Sequence, residues 1–543
     1  MKLFILSIII ILTSTIVSGQ TLDVNKIKLL DSIATQDVPE NAPGIATAII
    51  HDGEVIYYKL AGFSDLSDST IITEKTRFNI ASNGKQFTAL AILSLIEKKK
   101  LNLSHDIRNW FTNLYPDIQE SITVQDLINH TSGIRDCYDL WSLQGYTWWE
   151  HSFDNQDVLK LIEKQSALNF TPGTNFLYSN TNYILLALLV ERVIGKSFVE
   201  YTNEIFRQLN MPNTSFECDH TKIRGPIARA YFNFGTWTTF DWQWNACGDG
   251  NIFSTLEDQI QWEKLVQGEG KSSFNRNLIL QSQQTIPNSN FENYGYGLEF
   301  GKYKNLEYAF HEGATGAWKA TVIRFPQRNL AMVTLTNTGK SISYNQTRQM
   351  ADVILNLKPT ATYIKTKPES IGAFVSEDEI VGTYLTESDF AFNFVKKDNQ
   401  IFLKRIGRND VELEREADNI FHQKYDPDFK QEFTTNPAGQ MQVTAYYVNH
   451  APYSLTKVEN IKDTFDFNSL SGEYFNPETN TTIALNFKEG VDYEVVFRGD
   501  YQTTGILISE NKLLVDFYSL TLDGDNLILN GERIKQVKFL KKE

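Results

Sequence analysis

Ser82-Asn83-Gly84-Lys85 opens the apolar run Gln86-Phe-Thr-Ala-Leu-Ala-Ile-Leu-Ser-Leu-Ile96. Leu90, Ala91, Ile92, Leu93, Leu95 and Ile96 place apolar side chains on all sides of a helix, a pattern that predicts burial inside a domain. Positions i and i+3 of a helix share a face, which brings the Lys85 ammonium within reach of the Ser82 hydroxyl. A serine hydroxyl is a weak nucleophile that an adjacent base activates, and the N–H groups at a helix start stabilise negative charge developing nearby. Four such residues alone also fit an ordinary helical turn with a solvated lysine. The buried helix behind them argues against solvation.

Two further segments carry related chemistry. Tyr178-Ser179-Asn180 follows Phe170-Thr-Pro-Gly-Thr-Asn-Phe-Leu177, and His311-Glu312-Gly313-Ala314-Thr315-Gly316 precedes a predicted strand pair. Ser-x-x-Lys, then Tyr-x-Asn, then His-x-Gly, in that order, resembles the serine β-lactamase and penicillin-binding-protein superfamily, in its class C, esterase and D-aminopeptidase branch. Supporting segments are similar to that branch as well: Pro43-Gly44-Ile-Ala-Thr-Ala-Ile-Ile50, Phe78-Asn-Ile-Ala81, Leu127-Ile-Asn-His130-Thr131-Ser132-Gly133 and Gly248-Asp-Gly-Asn-Ile-Phe-Ser254-Thr255.

The resemblance implies that Ser82 is the acylated nucleophile and that Lys85 and Tyr178 share the proton traffic. It implies that Asn180 orients substrate and Lys85, and that the backbone N–H groups of Ser82 and Ala314 form an oxyanion hole beside Gly313. Nearby positive charge favours the ionised form of a phenol, so a Tyr178 between cations can be held partly as phenolate. Which of Lys85 and Tyr178 accepts the proton stays open at this point. The third motif departs from the Lys-Thr-Gly of β-lactamases: His311 puts an imidazole, mostly neutral near pH 7, where a fixed ammonium would receive a β-lactam carboxylate. Glu312 adds a carboxylate that either receives a substrate amine or is a solvated strand-edge charge.

With 543 residues, 41% of them apolar and 13% aromatic, two or three well-cored domains are expected. A formal charge of −15, with no basic run, argues against nucleic-acid binding. The histidines are scattered and Cys137, Cys218 and Cys247 fit no metal-ligand spacing, so no metal and no cofactor are expected. The thiols leave two options open, a Cys137–Cys218 bridge or buried free cysteines. Residues 1–19 read as an export signal: Lys2, the apolar Leu3–Ile16, then Val17-Ser18-Gly19 before Gln20. A periplasmic or secreted protein with no stable membrane span after signal cleavage is expected, a retained anchor being the alternative.

Gly44–Gly62 alternates around Asp52-Gly53, and Trp318–Phe325 and Leu330–Thr336 flank the turn Pro326-Gln327-Arg328-Asn329. Strands at both ends of one region must pair to bury their faces, with the helical portion between them. All nine tryptophans lie between Trp110 and Trp318, in stretches that either line an apolar substrate pocket, with Trp148 and Trp242 as candidates, or pack the core. The Pro-containing segment 358–370 reads as a linker. Beyond it, Val381-Gly382-Thr-Tyr384 and Ser471-Gly472-Glu-Tyr474 open two similar strand-rich halves. The D-aminopeptidase-like members of the family carry two lipocalin-like barrels there, which help shape substrate access; a packing or spacer role is the alternative for this chain.

The expected fold is therefore α+β: a β-lactamase-like antiparallel sheet flanked by helices with a helical subdomain, then two small all-β barrels. The expected segments are 1–19 signal, 20–357 hydrolase-like domain, 358–370 linker, 371–460 first barrel and 461–543 second barrel. The expected activity is acyl transfer through Ser82 on esters or amides of small peptide-like substrates. A β-lactamase, or a penicillin-binding sensor that acylates and turns over slowly, is the alternative.

Overall fold

The computed structural model describes residues 22–542, apart from 148, 288, 340, 342, 358–371, 388–389, 405–409, 447–451, 459–460, 462–463 and 498–500. The expected signal segment, the expected linker and Trp148 lie outside the described residues. The catalytic-type region is built on a six-stranded antiparallel sheet. Its strands are β1 (Ile45–His51), β2 (Glu54–Ala61), β3 (Glu299–Tyr303), β4 (Leu306–Thr315), β5 (Trp318–Phe325) and β6 (Leu330–Thr336), in spatial order β3-β4-β5-β6-β1-β2. Ile45 pairs with Thr336 and His51 with Leu330, so the two hairpins read from the sequence join edge to edge.

Period-two alternation divides these strands between two cores. Ala46, Ala48, Val322, Val333 and Leu335 face the larger core, which contains the helical portion. Ile49, Ile323, Phe325 and Met332 face the other side, where they pack with Leu30 of α1 (Val24–Thr35) and Met350 of α5 (Ser343–Leu355). Into the larger core run α2 (Lys85–Glu97) and α4 (Asn180–Ile194), buried from Lys85 to Leu95 and from Asn180 to Val190 respectively. The short helix α3 (Cys137–Leu143) lies beside α4. A functional site bounded by the first turns of α2 and α4 and the edge of β4 follows from this layering.

After the sheet come two closed eight-stranded antiparallel barrels, spanning Gly382–Lys457 and Gly472–Lys541. The repeat seen in the sequence is a repeat of contacts. Tyr384 donates its hydroxyl to the Ile380 carbonyl at 2.9 Å, and Tyr474 donates to Leu470 at the same distance. Both rings lie under a lysine from the last strand, Lys457 at 5.9 Å and Lys541 at 5.7 Å. Both glycines have φ in the left-handed half of the map, +136° and +142°, where a side chain would also meet that lysine stem. Val381-Gly-Thr-Tyr384 and its copy are thus the closing corners of two equivalent barrels.

The cysteine options are corrected. Cys218 and Cys247 are bridged, with Cα atoms 5.3 Å apart, and Cys137 is a buried free thiol. Glu217 N–H bonds the Asn251 carbonyl, which brings Cys218 alongside Cys247, whereas Cys137 N–H is held by Thr181 at the start of α4. Four of the described tryptophans, Trp141, Trp242, Trp244 and Trp318, follow the core-packing reading. Trp141 stacks on Phe153 at 4.2 Å and meets Trp244 edge-on at 5.2 Å, while Trp242 packs on Trp318 and donates to Asn251, so these rings fill the core.

Candidate active site

Ser82 occupies a 3-10 turn, Ala81–Gly84, that feeds directly into α2. The sequence places it on the helix itself; the structure places it in the tighter turn just before. The pairing survives because three residues per turn make i and i+3 eclipse. Lys85 Nζ lies 3.0 Å from Ser82 Oγ, and the Tyr178 hydroxyl donates to the same oxygen at 2.9 Å. Ala81 is held at φ +48° with its N–H on Asn79 Oδ1 at 2.9 Å. A non-glycine residue in this region is strained by about 1–2 kcal/mol, and strain of this kind concentrates where function over-determines a turn.

Lys85 is wholly buried and its Nζ reaches three oxygens: Ser82 Oγ, Asn180 Oδ1 at 2.8 Å and the Asp249 carbonyl at 2.7 Å. Burial brings its pKa down to about 8; the Asp249 and Asp136 carboxylates oppose that fall and the Arg533 guanidinium adds to it. Asn180 is held from behind, its backbone N–H and its side-chain Nδ2 both donating to Asp136 Oδ2, at 2.7 and 3.0 Å. Asp136 was not singled out from the sequence because its visible signal is that of a helix cap. Its Oδ1 does cap α3, accepting from Tyr138 N–H at 3.0 Å, while Oδ2 anchors Asn180.

Tyr178 corrects the expectation of a phenolate. Burial pushes its hydroxyl well above the ordinary phenol value, the Asp249 carboxylate adds to that rise, and the bond to Ser82 opposes it. Its ring lies 4.3 Å from His130, whose Nδ1 accepts the Ser179 N–H at 3.2 Å. His130 from the His-Thr-Ser-Gly segment is therefore a neutral packing wall for the tyrosine, held below its usual pKa by burial first and by Lys85 second.

The third motif lies on β4, within a strand rather than ahead of the pair. Strand β3 covers β4 only as far as Phe310, so 311–315 turn an unpaired edge toward the Ser82 turn. A Cβ on Gly313 would stand 2.3 Å from the Ile80 carbonyl oxygen and 3.1 Å from the Ser82 nitrogen; only glycine permits this approach. The next residue, Ala314, is exposed. His311 is buried, its Nδ1 donating to the Glu312 carbonyl at 2.8 Å and its Nε2 accepting from Tyr294 at 3.2 Å. Burial, then the Lys85 charge, brings it down to about 3, so it is a neutral imidazole at working pH.

Glu312 takes no part in this site. Alternation turns it to the opposite face of the sheet, where its carboxylate accepts from Arg348 of α5 at 2.8 Å. Its partner is only 3% exposed. Glu312→Gln is expected to leave turnover within about twofold and to lower stability by about 1–3 kcal/mol, the scale of a lost bond to a buried charge. Ester turnover and urea unfolding, run side by side on that variant, check this. Among the described residues, no three His, Cys, Asp or Glu side chains converge on a metal-binding position.

The Beta-lactamase family model matches residues 30–356, more than half of the chain. The chain belongs to the beta-lactamase family. It is 28% identical over 302 residues to a D-aminopeptidase of Brucella anthropi, a match that covers 54% of this chain and 56% of that relative. It is likewise 28% identical over 344 residues to Protein flp of Staphylococcus aureus, covering 61% of this chain and 67% of that protein. The D-aminopeptidase match thus spans little more than half of that relative's own length. Among solved structures, the octameric penicillin-binding protein homologue from Pyrococcus abyssi superposes with a TM-score of 0.57 at 22% identity, over 80% of this chain and 100% of that one. That likeness concerns the fold.

Proposed function

We propose that this beta-lactamase-family chain is a serine hydrolase that forms an acyl-enzyme on Ser82 and cleaves esters or amides of small peptide-like substrates. The observation that carries the reading is the convergence of Lys85 Nζ and the Tyr178 hydroxyl on one serine oxygen, at 3.0 and 2.9 Å. The proton acceptor in the free enzyme is Lys85, since its pKa is brought to about 8 while Tyr178 stays a neutral phenol. Neutral Lys85 takes the Ser82 proton as Oγ attacks the carbonyl carbon. The oxyanion is met by the N–H groups of Ser82 and Ala314. Tyr178 then gives its proton to the departing oxygen or nitrogen and recovers one from Lys85, the two groups converging on the Ser82 oxygen. Water releases the acyl group by the same steps reversed.

The neutral His311 supports esters and amides over penicillins, because no fixed cation stands there to receive a β-lactam carboxylate. Similarity to a D-aminopeptidase supports the amide option, although Glu312 is engaged by Arg348 and offers no carboxylate to a substrate amine. The apolar run in residues 1–19 and the Cys218–Cys247 bridge support an exported, periplasmic or secreted protein. The test is a fluorophosphonate label located by mass spectrometry, with p-nitrophenyl acetate, D-alanyl p-nitroanilide and a penicillin as substrates. Label on Ser82 with turnover of the ester or anilide is the expected result. Label with a persistent penicilloyl adduct and no turnover of either would transfer the protein to the sensor reading.

A further inference from the structure

The second barrel meets the catalytic-type region at Glu478 and Thr479, which accept from Arg135 at 2.9 Å and Gln144 at 2.6 Å, and at the loop 531–536, between strands Asn526–Asn530 and Val537–Lys541. The backbone of this loop is gripped on several sides. Arg135 donates to the carbonyls of Lys535 and Gln536 at 3.1 and 2.8 Å, Asn169 exchanges bonds with Arg533 and Lys535, and Ile534 is fully buried. At the tip, the Asp136 N–H donates to the Arg533 carbonyl at 3.2 Å, and the Arg533 N–H donates to Asp139 Oδ2 at 2.9 Å. The guanidinium spans two carboxylates. It donates to Asp139 Oδ1 from Nε at 3.2 Å and from Nη2 at 2.5 Å, and its Nη1 stands 3.4 Å from Asp136 Oδ2. That last oxygen is the one that holds both the backbone and the side chain of Asn180.

We propose that Arg533, carried by the second barrel, is a positioning residue for the reaction at Ser82: it neutralises and fixes Asp136, on which Asn180 and through it Lys85 depend. The inference rests on the reading of Ser82 and Lys85 given above. Asp136 is fully buried and sits in a line of contacts that ends on the Lys85 nitrogen. A buried carboxylate without a partner would draw the Asn180 amide and the Lys85 ammonium toward itself, and would favour charged Lys85. Arg533 cancels that pull while its planar fork fixes where the oxygens point. The groups facing Lys85 are Asp249, Asp136, Arg533, Cys137, Tyr178 and Tyr183, with the neutral imidazoles of His130 and His311 behind them. Those facing Arg533 are Asp136, Asp139 and Glu532, with Lys535 near Asp139. Asp139, raised to about 6 chiefly by burial, is already ionised where Lys85 titrates.

The test uses the full chain. Fluorophosphonate labelling rates are measured from pH 6 to 10 for wild type, Arg533→Gln and Arg533→Lys, each with its melting temperature. Wild-type labelling at Ser82 comes first; its absence sinks the underlying reading rather than this inference. Loss of the guanidinium in R533Q is expected to move the ascending limb up by about one pH unit and slow labelling at pH 7 about tenfold, the scale of one neighbouring buried charge. R533K keeps a charge but not the fork, so its limb is expected between the other two. A purely structural clasp would lower both melting temperatures and leave the limbs of wild type and variants superposed. That superposition, in whichever variant folds, overturns the proposal.

Discussion

Ser82→Ala is expected to lower ester turnover by about four orders of magnitude or more, since deleting an attacking group typically removes that much. Fluorophosphonate labelling should vanish with it. The fold should survive the change. Ser82 lies in a turn held by other atoms: Asn79 caps the Ala81 N–H, and Asn83 Nδ2 bonds the Ala320 carbonyl at 3.0 Å. A melting temperature close to wild type, together with the lost rate, separates removal of the nucleophile from collapse of the site. Undiminished turnover in the folded variant would mean that the reaction runs elsewhere.

The second large effect concerns Lys85. A base must be neutral to accept a proton, so kcat/KM should rise with pH through about 8, where burial has brought this lysine. Lys85→Met is expected to lower the rate by about 10²–10⁴-fold, the usual contribution of a positioned base, and to abolish that ascending limb. Stability should move the other way. The folded-state pKa lies below the unfolded one, so the unfolded chain holds more protons between them and the lysine's penalty on folding is full below about 8 and shrinks as pH rises above it. Replacing this buried amine by an apolar side chain should therefore raise the melting temperature at pH 7 while destroying activity, the trade expected of a group kept for chemistry rather than for folding. A limb that persists in Lys85→Met would assign the titration to another group.

Much of this was legible from local chemistry. Ser82 and Lys85 are paired by a spacing that holds in a 3-10 turn as well as in a helix, so the difference in element left the pair intact. The alternation of β1, β5 and β6 announced a two-sided sheet, and Gly382-Thr-Tyr384 and Gly472-Glu-Tyr474 announced two copies of one barrel corner. Such features depend on residues within one turn or one hairpin, where chain geometry dictates which side chains meet. His311 and Glu312 show the limit. Adjacent strand residues must face opposite ways, but which face held Ser82 and which held Arg348 depended on the layers stacked on each side.

By itself, then, the order of residues determined the pairing of Ser82 with Lys85, the family resemblance and the repeated barrels, because these reside in short-range spacing. Tertiary structure alone decided the protonation of Tyr178, the second role of Asp136 and the arrival of Arg533 from 394 positions beyond Asp139. The physical reason is common to all three. Desolvation and charge pairing are set by what surrounds a group in space, and the surroundings of this site are assembled from segments that only the packed chain brings together.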